Sequence, residues 1–437
     1  QQHRPGRYRF HDLVRLYASD RAAQTFSDRE QDAVVDGFIE WHHLRADSGY
    51  SEEDANILAG CEVLGDHPKL WRLGFALGNI VRGGITLARA QRIFERAYDL
   101  ASENDDRYGC YRMTVRLVPC YRFNGDHARG MEYGRKAVRL AEGLDPHDLG
   151  VAKANLGLMH YGQAEFAEAE PLLKDALDIA DSVKNLRHQQ IGAFNLGILY
   201  RESGRYAEAD EYLGRAARIS REIPGTSTEI MIHIDRVYVL MCTGRFAEAR
   251  VELSRFPEAT ETNFNVRAEC LKLCVQAELA QLTDDLGGAR ELFSQMRLLA
   301  REHGLSFLEA EATYKSAIAL SESGLVSQAL DSLDSWSAHS VEQFGPHATA
   351  GFARAASVAR NAAGESESAL RHAMTAVELY RAMPSPREHA NALLAAAAAH
   401  NGLGHPGEAK RCREEALEIF TRIGAPEAST VATRPER

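Results

Sequence analysis

The sequence predicts an all-α solenoid, a stack of helix pairs, and three observations predict it. An alanine recurs every 40 residues, at Ala169, Ala209, Ala249, Ala289, Ala329, Ala369 and Ala409. A glycine stands before several of them, at Gly204, Gly244, Gly324, Gly364 and Gly404. Around these markers the apolar residues fall at i, i+3, i+4 and i+7, the helical period. A fixed period of roughly 20–50 residues marks an architecture whose units pack on their neighbours.

The clearest copy runs Asn195-Leu196-Gly197-Ile198-Leu199-Tyr200, then Gly204-Arg205-Tyr206-Ala207-Glu208-Ala209, then Leu213 and Ala216. The copy before it keeps Asn155-Leu156-Gly157 and Phe166-Ala167-Glu168-Ala169 with Leu173 and Ala176, and the copy after it keeps Gly244-Arg245-Phe246-Ala247-Glu248-Ala249. The glycine ends the first helix of each pair, because it takes the left-handed conformation at low cost. The aromatic two residues later covers the small core between the helices. The alanine lets the second helix approach the first. Gly130 and Ala90 extend the beat backwards with one residue of slippage.

This grammar resembles the tetratricopeptide repeat, lengthened from a pitch of about 34 residues. The resemblance implies an all-α, right-handed superhelical solenoid of tetratricopeptide-like helix pairs over residues 67–424. About nine pairs are expected. Second helices are placed around 87–102, 126–142, 165–182, 205–222, 245–256, 285–303, 325–339, 365–383 and 405–423. Pro224 to Thr228 and Pro384 to Pro386 mark loops. Residues 26–66 read as connecting helices, with Phe38, Trp41 and Leu44 on one face. Residues 425–437 read as a flexible tail.

A net charge of −11 disfavours sequence-independent nucleic-acid binding, which rests on cations neutralising phosphates. No run of about 18 or more apolar residues is present, so no membrane span is expected. The seven cysteines, Cys61, Cys110, Cys120, Cys242, Cys270, Cys274 and Cys412, are scattered and odd in number. They read as reduced thiols of a cytoplasmic protein. Cys270 and Cys274 lie one helical turn apart and read as small buried side chains, with no metal. His42, His43 and His147 read as surface residues, and Glu168, Glu208 and Glu248 as a solvated helix face. No nucleophile or acid–base motif appears, so no catalytic residue is assigned and no enzyme is expected.

A binding groove is expected on the inner wall, which the first helix of each pair lines. One row, counted from each glycine, is Arg122, Tyr161, Arg201, Met241, Gln281, Ser321 and Asn361. A second row holds Leu158, Ile198, Tyr238, Glu278 and Ile318, with Arg112, Phe194 and Tyr314 nearby. Arginine pairs with carboxylate or phosphate, and tyrosine offers flat area with a hydroxyl. The groove therefore suits a protein, a peptide, a small signal molecule or an anionic partner. Ordinary wall packing would place the same residues in the same rows.

The first 25 residues differ. The run Arg7-Tyr8-Arg9-Phe10-His11-Asp12-Leu13-Val14-Arg15-Leu16-Tyr17-Ala18-Ser19-Asp20-Arg21-Ala22 passes from an alternating segment into a helix. It resembles the end of the winged-helix subdomain of signal-transduction ATPases, in particular the AfsR-type actinobacterial antibiotic regulators. Glu52-Glu53-Asp54-Ala55-Asn56-Ile57-Leu58-Ala59 and Trp71 fit the segment that leads into the array of that family. The resemblance implies that His11 would contact the β-phosphate of ADP in a full-length protein, with Asp12 beside it. It implies an upstream nucleotide-binding domain of the same polypeptide, holding ATP or ADP. This chain has no phosphate loop and no acidic strand for Mg²⁺, so no cofactor is expected here and His11 is expected to be idle.

The sequence thus supports a sensor arm of a nucleotide-switched transcriptional activator of secondary metabolism. A free-standing scaffold for protein assembly explains the repeats equally well, and only the N-terminal run separates the two. A repeat-built enzyme would need a catalytic group on residues 26–66, where no constellation is found.

Overall fold

In a computed structural model of the chain, the described residues are 2–4, 7–8, scattered positions between 25 and 64, then 65–77, 87–223, 228–256, 266–336 and 341–433. Phe10, His11, Asp12, Phe38, Trp41 and Leu44 lie outside them. Two compact units divide the chain, residues 1–159 and 160–437.

The first unit begins with a short antiparallel hairpin, β1 (Gln2–Arg4) and β2 (Arg7–Tyr8), which sets Gln2 opposite Tyr8. Its helices are α1 (Leu70–Leu77), α2 (Leu87–Glu103), α3 (Arg107–Phe123) and α4 (His127–Ala141). Most of α5 (Pro146–Gly162) belongs to it as well. Leu73, Phe94, Met113 and Tyr121 build its core. The slipped beat holds here too, with Ala90 and Gly130 buried.

The second unit continues the alternation. Its helices are α6 (Phe166–Ser182), α7 (Leu186–Glu202), α8 (Tyr206–Glu222), α9 (Glu229–Cys242), α10 (Phe246–Leu253), α11 (Val266–Leu282) and α12 (Leu286–Glu302). Then come α13 (Ser306–Glu322), α14 (Val326–Asp334), α15 (Pro346–Ala362), α16 (Ser366–Arg381), α17 (Pro386–Gly402), α18 (Pro406–Ile423) and the short α19 (Glu427–Thr433). Each second helix falls where the sequence places one, and among the described residues the pairs number nine. The fold is an all-α solenoid of tetratricopeptide-like pairs.

The beat has a packing cause. All seven alanines of the series are fully buried. Gly197 supplies the facing gap: a Cβ there would lie 2.6 Å from the Leu213 side chain. Leu213 is itself fully buried, which stabilises the fold by roughly 1.5–3 kcal/mol. Helix starts are capped by side chains, as where Asn185 accepts from the His188 amide at 3.1 Å and Asp285 from Gly288 at 2.9 Å.

The glycine beat has a backbone cause. At Gly204 φ is +73°, the Gly204 amide donates to the Arg201 carbonyl at 3.1 Å, and the Arg205 amide donates to Tyr200 at 2.8 Å. This pair of bonds is the Schellman stop, which needs a left-handed residue. The same 40-residue register falls on Ala164 and Asp284, and both take it without being glycine, at φ +61° and +62°.

The tail departs from expectation. Residues 427–433 form a helix instead of a frayed end. Ala425 is 4% exposed, and the Glu427 carboxylate is held by Arg387 at 2.9 Å. Burial and an ion pair anchor a segment whose composition alone reads as loose.

Candidate functional site

The second unit encloses a cavity of about 690 Å³. First helices supply most of its wall: Arg201 from α7, Tyr238 from α9, Glu278 and Gln281 from α11, Tyr314 and Ile318 from α13. Arg354 from α15 and Arg387, Glu388 and Asn391 from α17 complete it, with Glu427 of α19. The turns after α7 and α9 abut the far end of the unit. A Cβ on Gly204 would lie 2.9 Å from Ile423 and 3.0 Å from Pro386, and one on Gly244 would lie 3.1 Å from Pro426. The second unit therefore closes on itself around the cavity.

The other residues of the expected groove are placed elsewhere. Arg112 and Arg122 belong to the first unit. The Arg112 guanidinium lies 3.3 Å from the Phe75 ring centroid and donates to the Tyr108 hydroxyl at 2.7 Å, and Arg122 sits over Phe123. Tyr161 packs beside Phe166, with centroids 5.9 Å apart. Phe194 is half-buried and outside the cavity wall. Met241 is fully buried, packed in one cluster with Val237, Leu240 and Leu279. It fills the wall and does not face the groove, because an unbranched apolar side chain is drawn into the layer between pairs. Ser321 is likewise buried and donates to the Ala317 carbonyl at 2.8 Å.

The electrostatics differ from an arginine-rich groove. Arg201 donates to Asp235 and to Glu202, so its charge is committed. Burial alone would pull its pKa down; the two carboxylates outweigh this and hold it well above the usual arginine value. Lys315 contacts Glu278, Glu311 at 2.7 Å and the Cys274 sulfur at 3.2 Å. Burial pushes the Glu311 carboxyl up, but Lys315 more than offsets it and holds it below the usual carboxylate range. Arg354 lies 3.3 Å from Glu388. Burial pushes the Cys274 thiol well above its usual range, so it stays protonated. That leaves no activated nucleophile in the wall at this position.

Glu322 is treated differently. It accepts from the Gln281 amide at 2.6 Å and has no ion pair among the described residues. Its carboxyl lines the cavity, and burial pushes its pKa up against the opposing pull of Gln281 and Arg354, with Asp284 adding a smaller push. Sequence reasoning missed Glu311, Lys315, Glu322, Arg354, Arg387, Glu388 and Glu427. The first three fall at helical spacing on α13 and carried that signal. Glu427 had none.

Comparisons with known proteins agree with this architecture. The tetratricopeptide repeat profile matches residues 151–181 and 195–226. No curated protein matches the chain in sequence. Among solved structures, the chain is similar to a Rap protein complexed with competence and sporulation factor. That match has 13% identity over 86% of this chain and 99% of that one, with a TM-score of 0.61. It is also similar to the apo quorum sensor NprR from B. thuringiensis, at 13% identity over 79% and 97% of the two chains, TM-score 0.57. NprR in complex with its cognate peptide NprX gives 12% identity over 80% and 98%, TM-score 0.55. The likeness is one of fold. Among the described residues no helix is long and apolar enough to cross a membrane.

Proposed function

We propose that this chain is a peptide-binding receptor arm, non-catalytic, with its ligand seated in the cavity of the second unit. The observation that carries the reading is the cavity itself: about 690 Å³, walled by the inner helices of a solenoid. Ligand sites are concave and few, and this volume lies within the roughly 300–1,000 Å³ they occupy. The fold likeness to Rap and NprR supports it, since both were crystallised with a bound factor or peptide.

In this reading the ligand shifts a conformational equilibrium by binding one state better than another. The finer setting is a nucleotide-switched transcriptional activator, with this chain as its sensor arm. It rests on the run from Arg7 to Ala22 alone, and the comparisons bear only on the array. A free-standing scaffold would use the same cavity.

A pooled library of random hexapeptides tests the reading by affinity selection and mass spectrometry. The intact chain is expected to enrich a defined set. Asn391→Trp, which fills the cavity from α17 without changing charge, is expected to lose that set while its melting curve holds. A library that returns nothing, or the same set from both proteins, overturns the proposal.

A further inference from the structure

The cavity wall carries more negative charge than it neutralises. Seven carboxylates line it against four cations. Each cation is already engaged: Arg201 with Asp235 and Glu202, Lys315 with Glu278 and Glu311, Arg354 with Glu388, Arg387 with Glu427. Glu322 and Asp284 are the lining carboxylates with no ion pair among the described residues; they lie within electrostatic range of each other, and Arg354, paired with Glu388, only partly offsets Glu322. A cleft lined by one sign of charge concentrates the opposite sign.

A second, independent observation points to an occupant. Tyr314 is only 4% exposed and lines the cavity, yet among the described residues its hydroxyl has no hydrogen-bond partner. A hydroxyl that reaches the cavity and is unpaired within the protein can donate to and accept from an occupant. Tyr206, Tyr238 and Tyr380 line the same space, and ring faces attract cations. One such contact is already made, with the Arg201 guanidinium 5.2 Å from the Tyr238 centroid.

Position adds a length. Tyr314, Ile318 and Glu322 follow one another at i, i+4 and i+8 on α13, so they form one stripe. At about 1.5 Å rise per residue the stripe from Tyr314 to Glu322 spans about 12 Å. About four extended residues reach as far.

We infer that the peptide of the proposed function is cationic: an extended segment along α13 places an Arg or Lys head at Glu322 and Asp284 and a polar group at the Tyr314 hydroxyl. The inference rests on the peptide-binding reading, and its failure is separable from that reading's failure. Two pools of N-acetylated hexapeptide amides are compared, one carrying arginine at a fixed position and one carrying citrulline, its neutral isostere. The arginine pool is expected to be captured about tenfold better, the size of one well-placed charge contact. The double variant Glu322→Gln/Asp284→Asn is expected to erase that preference, keep citrulline-pool capture and melt unchanged. Capture of both pools without an arginine preference, or with a preference for acidic peptides, overturns the inference and leaves peptide binding standing. Binding of spermidine with no capture of either pool overturns the peptide and keeps a cation site. Binding of neither overturns both.

Discussion

Two stretches of the solenoid share one beat and use it differently. In α7 and α8 the repeat grammar is complete, and the tetratricopeptide profile matches there. The inner helix α7 buries Gly192, Ala193, Leu196, Gly197 and Leu199 and gives the cavity only Arg201 and Glu202, at its C-terminal end. From α11 to α14 little of the grammar survives beyond the framework alanines and Gly324, and the first helices α11 and α13 carry Glu278, Gln281, Glu311, Lys315 and Glu322 toward the cavity. Ala209 and Ala289 are equally buried in the two stretches. The lesson is a separation of roles: alanine keeps the helices together, and the remaining positions are free to become a polar wall.

The largest effect expected from this contrast lies in the charge networks. Lys315→Ala strips the cation from Glu278 and Glu311 inside the cavity wall, where Lys315 is 19% exposed. Removing one partner of such a pair costs about 3–5 kcal/mol, nearer the lower figure for a site that water still reaches. Arg205 in the consensus stretch also bridges two carboxylates, Glu170 and Glu208, but at 42% exposure. Arg205→Ala is expected to cost less than about 1 kcal/mol. Urea unfolding followed by circular dichroism compares them, and equal losses would break the contrast.

The framework is expected to behave oppositely. Ala209→Leu and Ala289→Leu each insert a branched side chain where the alanine is fully buried. Overpacking costs about 1–3 kcal/mol, and the two values should agree, because the contact is the same in both stretches. A tolerated Ala289→Leu would mean that the eroded repeats pack loosely.

These differences show what one sequence can disclose. The alanine beat, the glycine stops and all nine second helices were legible, because each is local and repeats. The cavity's sign was not. Arg201 reads as a free cation in a row of arginines and tyrosines, yet Asp235 of the next pair neutralises it. Glu427 closes the wall from a helix outside the repeat register. The charge of a groove is a sum over several repeats, and a row drawn through one register samples only part of it. Met241 misled for a related reason: the same offset from the stop can face the groove in one pair and the inter-pair layer in another.

A smaller effect is expected from pH. Glu252 of α10 is 2% exposed and accepts from His233 at 2.6 Å, with Arg236 at 2.6 Å and Arg255 at 2.9 Å. Burial raises its pKa, but these three partners outweigh burial and hold the carboxyl below the ordinary range. A depressed carboxyl contributes stability above its unfolded pKa and loses it as pH falls through the folded one. Melting temperature should therefore drop on acidification, and Glu252→Gln should flatten that drop. A wild-type drop that survives Glu252→Gln would assign the acid sensitivity to other carboxylates.

The smallest effect concerns the stops, and it sharpens the comparison at single-residue scale. Ala164 and Asp284 both occupy the glycine position with positive φ. A Cβ in the left-handed region clashes with the following carbonyl, while a short polar side chain eases this by bonding locally. Ala164 is exposed and its stop is complete, the Glu165 amide donating to the His160 carbonyl at 3.0 Å. Ala164→Gly should therefore relieve strain and stabilise by up to about 1 kcal/mol, reduced by the extra freedom glycine brings to the unfolded chain. Asp284→Gly should gain less, since aspartate already tolerates the conformation, and it removes a carboxylate from the cavity mouth. Stability then ranks the two glycine variants one way and binding of a cationic peptide separates them another. Ala164→Gly should leave binding untouched, and Asp284→Gly should weaken it. Were both variants stabilised equally with binding unchanged, Asp284 would be a stop residue like its counterparts and no part of the acidic wall.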